Sequence, residues 1–259
     1  MGSFISLLKT PKTQIGFLLT LIFITAFFNN PSLKSILVFI FSVGSTLIFD
    51  LLFLKIRGIK PFFPSAGLVS GSIIGLLTSP LANWYIPVAI AAFAMFSKNF
   101  IRLGNRHVFN PAAFGLLVGA IIFGYNISWW AVSFQQFSPS SDGLEFIIYF
   151  LILLSPAFVS MVKMKRYRIT LSFLLVYIIL NKILNSEFLI LNSILDPTTL
   201  FFSIVMLPEP MTTPNNHLRQ TIFGIFVAII SLIMSLSIFN LDPLVLSLLL
   251  GNLVFFKFR

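Results

Sequence analysis

Long apolar segments, separated by few charged residues, constrain this chain more than any other feature of its sequence. Of its 259 residues, 58% are hydrophobic and only 9% are charged, whereas an ordinary soluble domain carries about 25% charged residues. Because roughly 20 apolar residues cross a lipid bilayer, segments of this kind leave little chain for a domain outside the membrane. The composition therefore excludes a soluble enzyme or a nucleic-acid-binding domain and predicts an all-α integral membrane protein.

Hydropathy predicts ten transmembrane segments. In chain order they are Gln14–Phe28, Ser35–Leu54, Phe62–Leu77, Trp84–Phe96, Val108–Gly124, Glu145–Val162, Arg168–Leu184, Phe188–Leu207, Gln220–Ser237 and Leu241–Phe256. With ten segments, every Lys and Arg except Lys34 and Lys182 falls on one side of the membrane. Because cytoplasmic loops are rich in these residues, we expect a multi-pass protein of the cell inner (plasma) membrane with both termini in the cytoplasm. The net charge of +10 then needs no nucleic-acid partner.

The three tryptophans and several prolines refine this arrangement. Trp84, Trp129 and Trp130 fall on the outer side, where an aromatic belt is expected. Three segments are poor continuous helices, because each contains a helix breaker or is too short: Phe62–Leu77 with Pro64, the 13-residue Trp84–Phe96, and Phe188–Leu207 with Asp196-Pro197. Irregular backbone at membrane depth is tolerated only inside protein or beside a cavity, so these breaks predict a central site.

The breaks recur along the chain with similar spacing. Asn110-Pro111 has Gly119 eight residues after its proline, and Asp242-Pro243 has Gly251 at the same distance. A second, weaker pair places Ser70 ten residues before Pro80 and Thr198 ten residues before Pro208. Interrupted helices at matching positions indicate an inverted repeat. We therefore expect two inverted five-helix repeats, residues 1–124 and 145–259, joined by an outer loop over 125–144.

Two loops combine these breaks with polar residues. The first runs from Ser97 to Ala113 and carries cations and His107 just before Asn110-Pro111, a favourable helix start. A helix N-terminus near cations suits an anionic or electron-rich ligand, although cytoplasmic charge bias and simple capping explain the same residues. The second runs from Met206 to Pro214 and holds Glu209 among three prolines. It is either a rigid turn or a second part of the site.

Other polar and small residues have structural interpretations as well. Gly67, Gly71 and Gly75 form a stripe that predicts close helix packing. Asp50 is expected to pair with Lys55 at the membrane surface. Asn192 and Asp196 belong either to an ion path or to a structured helix break.

These motifs resemble the RnfD/NqrB family over most of the chain and in the same order. The resemblance rests on four stretches: Gly67–Gly71 through Thr78-Ser79-Pro80, Phe96-Ser97-Lys98 through Arg106–Ala113, Phe201–Pro214 with Gln220–Gly224, and Asp242-Pro243 through Leu250–Leu253. Family members usually carry Asp where Glu209 stands here. They are membrane subunits of ion-translocating, flavin-dependent electron transport complexes, and their fold is similar to that of urea transporters.

The resemblance implies a flavin, FMN or riboflavin, and a set of residues near it. That set is Ser70, Gly71, Lys98, Arg106, His107, Phe109, Asn110, Pro111, Glu209, Pro210, Thr212, Thr213 and Pro214. The family attaches FMN to the threonine of a Gly-Ala-Thr motif in the outer loop, but the loop from Tyr125 to Gly143 contains no threonine. The flavin is therefore expected to be noncovalent, with Ser140 or Ser141 as a weak substitute.

The chain has no cysteine and no motif for nicotinamide binding, so an electron transport function requires other membrane and peripheral subunits of an Rnf/Nqr-type complex. The leading hypothesis is a subunit that passes electrons across the bilayer and couples this to Na⁺ or H⁺ movement. Two alternatives use the same fold without redox chemistry. One is a channel or transporter for a small solute, and the other is a scaffold subunit without a cofactor.

Overall fold

The described part of the chain is almost entirely helical. The computed structural model describes residues 10–60, 62–133, 143–184, 196–236 and 240–258. These residues form ten helices and one short hairpin. The helices are α1 (Pro11–Asn29), α2 (Leu33–Ile56), α3 (Ser65–Leu77), α4 (Tyr85–Phe100), α5 (Pro111–Phe123), α6 (Gly143–Ala157, continued by the π-helix Phe158–Lys163), α7 (Tyr167–Leu184), α8 (Pro197–Phe201, continued by the π-helix Phe202–Met206), α9 (His217–Ser235) and α10 (Pro243–Phe255, followed by the 3₁₀ turn Phe256–Phe258).

The helices fall into a long and a short class. Among the described residues, α1, α2, α7 and α9 are long and apolar enough to cross a membrane, which fits a membrane protein. In contrast, α3, α5 and the α-helical part of α10 have 13 residues each. At 1.5 Å per residue they extend about 20 Å, short of a bilayer core of about 30 Å.

Two of the three poor helical segments contain the predicted break, and the third is a short unbroken helix. The short helix α3 and the helix start at Pro197 in α8 agree with the sequence, although residues 185–195, including Asn192, lie outside the described residues. The segment predicted as Trp84–Phe96 extends to Phe100 as helix α4, which at 16 residues still belongs to the shorter apolar helices. Hydropathy ended the segment before Ser97, Lys98 and Asn99, yet these residues remain helical.

Proline and a short polar side chain begin several of the helices. Asn110, Asp196 and Asp242 each accept a hydrogen bond from the N–H three residues further on, and each precedes a proline. This is the expected helix start, because the capping oxygen satisfies an N–H that has no partner within the helix. Asp196 therefore caps a structured helix break, which is one of the two roles that its sequence allowed.

The weaker of the two spacing matches does not mark equivalent positions. Ser70 lies in the middle of α3, whereas Thr198 is the second residue of α8. In the stronger match, Gly119 in α5 faces Ile90 of α4 and Gly251 in α10 faces Val227 of α9, so each glycine lies against the preceding helix.

Neighbouring helices pack together in each half of the chain. Helix α2 packs against α3 and α4, and α4 packs against α5. In the second half α7 packs against α9, and α9 against α10. Helices α5 and α10 also meet, in antiparallel orientation, because Asn110 at the start of α5 contacts Asn252 near the end of α10.

The stretch that follows α5 folds back and covers the buried end of α3. The indole N–H of Trp130 donates to the Gly75 carbonyl at 3.0 Å, and the N–H of Ser128 donates to the Leu77 carbonyl at 2.9 Å. Trp129 donates from its indole to Asp242 Oδ2 at 2.6 Å. The aromatic-belt interpretation is therefore wrong for these two tryptophans, which are buried to hold this stretch in place.

The glycine stripe of α3 is a packing surface, as predicted. A Cβ at Gly71 would lie 2.2 Å from Thr46 Oγ1 and 2.7 Å from the Cα of Val43, both on α2. Glycine at this position therefore lets the two helix backbones approach closely.

Gly71→Ala is expected to destabilise the protein by about 1–3 kcal/mol, because the added methyl group cannot fit without separating α2 from α3. The measurement is thermal unfolding of the purified protein in detergent. Gly44→Ala is the matched control, since a Cβ there meets nothing within 4 Å and alanine is the better helix former. Equal melting temperatures for the two variants would contradict this packing.

Candidate functional site

A cavity lies where α1, α3, α5, α6 and the end of α8 converge, and we call it the central cavity. About 550 Å³ of space free of protein atoms lies within it and at its solvent-open mouth, and the enclosed part is narrow. Its apolar lining comes chiefly from Ile15, Val69, Ile73, Met164, Val205 and Pro208. Its polar lining comes from Lys12, Ser70, Asn110, Ser160 and Glu209.

The loop between α4 and α5, the first loop, is a hairpin that the sequence did not reveal. Strand β1 (Arg102–Leu103) pairs antiparallel with β2 (Arg106–His107). Gly104 has φ of 57° in the two-residue turn, a conformation that glycine adopts without strain. Arg102 donates to the Lys98 carbonyl at 3.0 Å, so this cation satisfies the end of α4 and takes no part in the cavity.

Asn110 joins three separate parts of the chain at the edge of the cavity. Its Oδ1 accepts from the N–H of Ala113, and its Nδ2 donates to the Met206 carbonyl at 3.1 Å. Its own N–H donates to Asn252 Oδ1 at 2.8 Å, and Asn252 Nδ2 donates in turn to the Thr212 carbonyl. All of these side chains are buried, where an unmade hydrogen bond is costly.

The π-helical end of α8 supplies carbonyls to this region. In addition to Met206, the Ser203 carbonyl accepts from Thr170 Oγ1 of α7 at 2.7 Å. A π-helix carries a wider turn than an α-helix and is frequent at functional sites. The irregular end of α8 is thus bonded to α5 and α7 on both sides.

The loop after α8, the second loop (residues 207–216), is held by bonds to its own carbonyls. Thr213 Oγ1 donates to the Glu209 carbonyl at 2.7 Å, and the N–H of Thr212 donates to the same oxygen. The buried guanidinium of Arg166 donates to the Pro214 carbonyl, and at 2.7 Å to Asn215 Oδ1. These bonds fix the Glu209 backbone, and its carboxylate lies at the cavity with Oε2 accepting from Thr212 Oγ1 at 3.3 Å.

The two loops meet through His107 and Glu209. His107 is buried, its Nδ1 lies 2.8 Å from the Phe109 carbonyl, and its Nε2 lies 3.4 Å from Glu209 Oε1. Burial lowers the pKa of His107 below its usual value because it penalises the charged ring, and the Glu209 carboxylate opposes this shift.

Lys98 lies in a second, separate polar cluster. Its Nζ is 2.6 Å from Asp50 Oδ2, with both side chains almost fully buried. Asn99 Nδ2 donates to the other carboxylate oxygen at 3.2 Å. The predicted pairing of Asp50 with Lys55 was wrong: Asp50 is buried against α4, whereas Lys55 is exposed.

The structure brings most of the predicted site residues together and separates three of them. Ser70, Asn110, Pro111, Glu209 and Pro210 line the cavity. A supporting layer behind them consists of His107, Phe109, Thr212, Thr213 and Pro214.

The remaining three lie outside the cavity lining. Gly71 packs against α2, and Lys98 binds Asp50. Arg106 belongs to the hairpin, and its Nη1 is buried without a hydrogen-bond partner among the described residues.

Two groups at the site escaped the sequence interpretation, Lys12 in the cavity lining and Asn252 behind it. In the sequence, Lys12 is one of the cations from which the orientation in the membrane is predicted. Its neighbouring residues give no sign of a ligand site. Within the described residues its ammonium group forms no hydrogen bond or ion pair, and the same is true of the Ser70 hydroxyl. Asn252 could have been predicted from the sequence, because a polar residue in an apolar helix is costly to bury and is often functional.

No protein-family model matches the chain, and a search of the curated proteins finds no match. Its function is therefore inferred from the cavity and the residues around it.

Asn110→Ala is expected to destabilise the protein by about 2–4 kcal/mol, because it removes a helix cap and leaves the Met206 carbonyl buried without its donor. Asn216→Ala is the matched control: Asn216 caps α9 at an exposed position, and its loss costs about 1 kcal/mol. Chemical or thermal unfolding in detergent measures both. If the two variants lose the same stability, the bond between α5 and α8 contributes nothing.

Asp50→Asn is expected to cost about 3–5 kcal/mol, since it leaves the Lys98 ammonium buried without a counter-charge. The double variant Asp50→Asn with Lys98→Met should recover part of this loss, and Lys55→Gln at an exposed position should change little. The same unfolding assay measures the stability of each variant. A double variant as unstable as the sum of its single changes would show that the two side chains are not coupled.

Proposed function

We propose that this chain is a membrane subunit of a flavin-dependent electron transport complex of the RnfD/NqrB type. The observation that carries the proposal is the central cavity, since it lies where the two loops of the family resemblance meet. Five of the thirteen residues that the resemblance implies line this cavity, and five more support them.

The character of the cavity suits a flavin ring. The isoalloxazine of FMN or riboflavin is planar, apolar at its benzenoid end and rich in hydrogen-bonding groups at its pyrimidine end. Ligand sites of this type have apolar walls and a few polar groups, which is the composition of the lining described above. The narrow space requires side chains of the lining to move when the ring enters.

The polar lining offers groups for the pyrimidine end. The Lys12 ammonium and the Ser70 hydroxyl have no partner among the described residues, so a ligand gains bonds without breaking others. The start of α5 at Pro111 adds the positive end of a helix dipole. These groups favour negative charge on the part of the ligand that lies away from the Glu209 carboxylate, while a bound flavin would supply the capacity to accept and release electrons.

Several further features belong to the same proposal. The chain would form two inverted five-helix repeats, which the antiparallel pairing of α5 with α10 supports. It would lie in the inner membrane with both termini in the cytoplasm, and would rely on partner subunits for electron donors. The flavin would be noncovalent, because the loop from Tyr125 to Gly143 lacks threonine; Ser140 and Ser141 lie outside the described residues.

The experiment is the visible absorption of the protein purified in mild detergent, with riboflavin or FMN added to any preparation that has lost its ligand. A retained or saturable flavin band supports the proposal. Absence of binding, together with solute flux into liposomes, would replace it with the channel alternative. Flavin that stays with acid-precipitated protein would overturn the noncovalent assignment.

Lys12→Gln is expected to weaken riboflavin binding about tenfold, through loss of one charge-assisted hydrogen bond. Lys55→Gln removes an equal charge from the exposed end of α2 and should leave the affinity unchanged. Fluorescence quenching of riboflavin on titration with protein measures both. Equal loss in both variants would point to general charge, and no loss in either would remove Lys12 from the site.

A further inference from the structure

The geometry of the contact between His107 and Glu209 indicates which of their atoms carry hydrogens. The Phe109 carbonyl can only accept a hydrogen bond, so the His107 Nδ1, 2.8 Å away, must carry a hydrogen. In the neutral ring this leaves a lone pair on Nε2, which faces Glu209 Oε1 at 3.4 Å. Two lone pairs at this distance repel each other, so the contact is favourable only when a proton lies between them, on the ring or on the carboxyl.

Glu209 connects this proton with the central cavity. Its side chain is 19% exposed, while that of His107 is 3% exposed, and Glu209 alone of the two lines the cavity. The bonds from Thr212 and Thr213 hold the Glu209 backbone, as described above. The carboxyl group therefore stands between the imidazole and the space that a ligand would occupy.

We propose that His107 and Glu209 together bind one proton at the edge of the central cavity, and that Glu209 exchanges this proton with the ligand in the cavity. The carboxyl gives its proton to a basic atom of the ligand and becomes a carboxylate. Nε2 of His107 then takes a proton from solvent through the first loop and passes it to the Glu209 carboxylate, which restores the pair. The exchange with a ligand rests on the proposed flavin function, whereas the proton-binding pair does not.

The surrounding charges make this proton easy to release. The charged groups that act on His107 are Glu209, Lys12 of α1 and Lys98 of α4, and Lys98 is partly neutralised by Asp50. Burial lowers the pKa of His107, Glu209 raises it, and the two lysines lower it further. A proton on the His107 ring therefore leaves more readily than one on an exposed imidazole.

The first test uses the protein without ligand and needs no flavin. The chain has two histidines, and the exposed His217 serves as an internal reference in nuclear magnetic resonance of ¹⁵N-histidine-labelled protein. His217→Gln assigns the two signals. We expect neutral His107 to carry its hydrogen on Nδ1. We also expect the Glu209→Gln substitution to move the titration of His107 about one pH unit or more toward acid, while the titration of His217 stays unchanged. A hydrogen on Nε2, or an unmoved titration in a folded variant, overturns the pair.

The second test adds riboflavin and measures the midpoint potential of the bound flavin at an electrode, which supplies the electrons, as a function of pH. The wild type should show a bend in this dependence near the His107 titration, and His107→Gln and Glu209→Gln should lose or shift it. Lys55→Gln is the control and should keep the bend. An identical bend in all proteins overturns the exchange with the ligand. Failure of riboflavin to bind sinks the flavin proposal, and the first test then decides the proton-binding pair by itself.

Discussion

Broken helices inside an apolar protein leave backbone N–H and C=O groups that water cannot reach, and the architecture of this chain depends on how those groups are satisfied. The carbonyls at the end of α3 accept from Ser128 and Trp130, and the carbonyl of Met206 at the end of α8 accepts from Asn110. Each of these bonds comes from a distant part of the sequence. The helix ends can therefore persist only when the surrounding segments are in place.

The same bonds that satisfy the helix ends also create the cavity. Asn110 cannot cap α5, reach α8 and contact Asn252 unless the start of α5 lies beside the second loop. That position leaves space between α1, α3 and α8, with Glu209 at its edge. The cavity therefore results from the same hydrogen bonds that satisfy the backbone groups at the helix ends. The segments that make these bonds also position the polar groups of the cavity.

The sequence predicted most helices because hydropathy and proline act locally, and it predicted Asn110 and Glu209 because both adjoin helix breaks. It failed where partners are far apart along the chain. Asp50 pairs with Lys98 on another helix, and no periodicity indicates that choice. Lys12 lines the cavity although its neighbours resemble any charged membrane flank. Trp129 and Trp130 are buried because they bond to helix ends, and the positions of these ends become apparent only in the folded structure.

The bond between the N–H of Asn110 and Asn252 spans 142 residues, and this separation has a consequence for biosynthesis. At about 5–20 residues per second, a ribosome needs roughly 7–28 s to make the acceptor after it has made the donor. During that interval the N–H of Asn110 has not yet met its final acceptor. The start of α5 therefore reaches its final packing only after α10 has been made, so the two halves of the chain complete this part of the fold together.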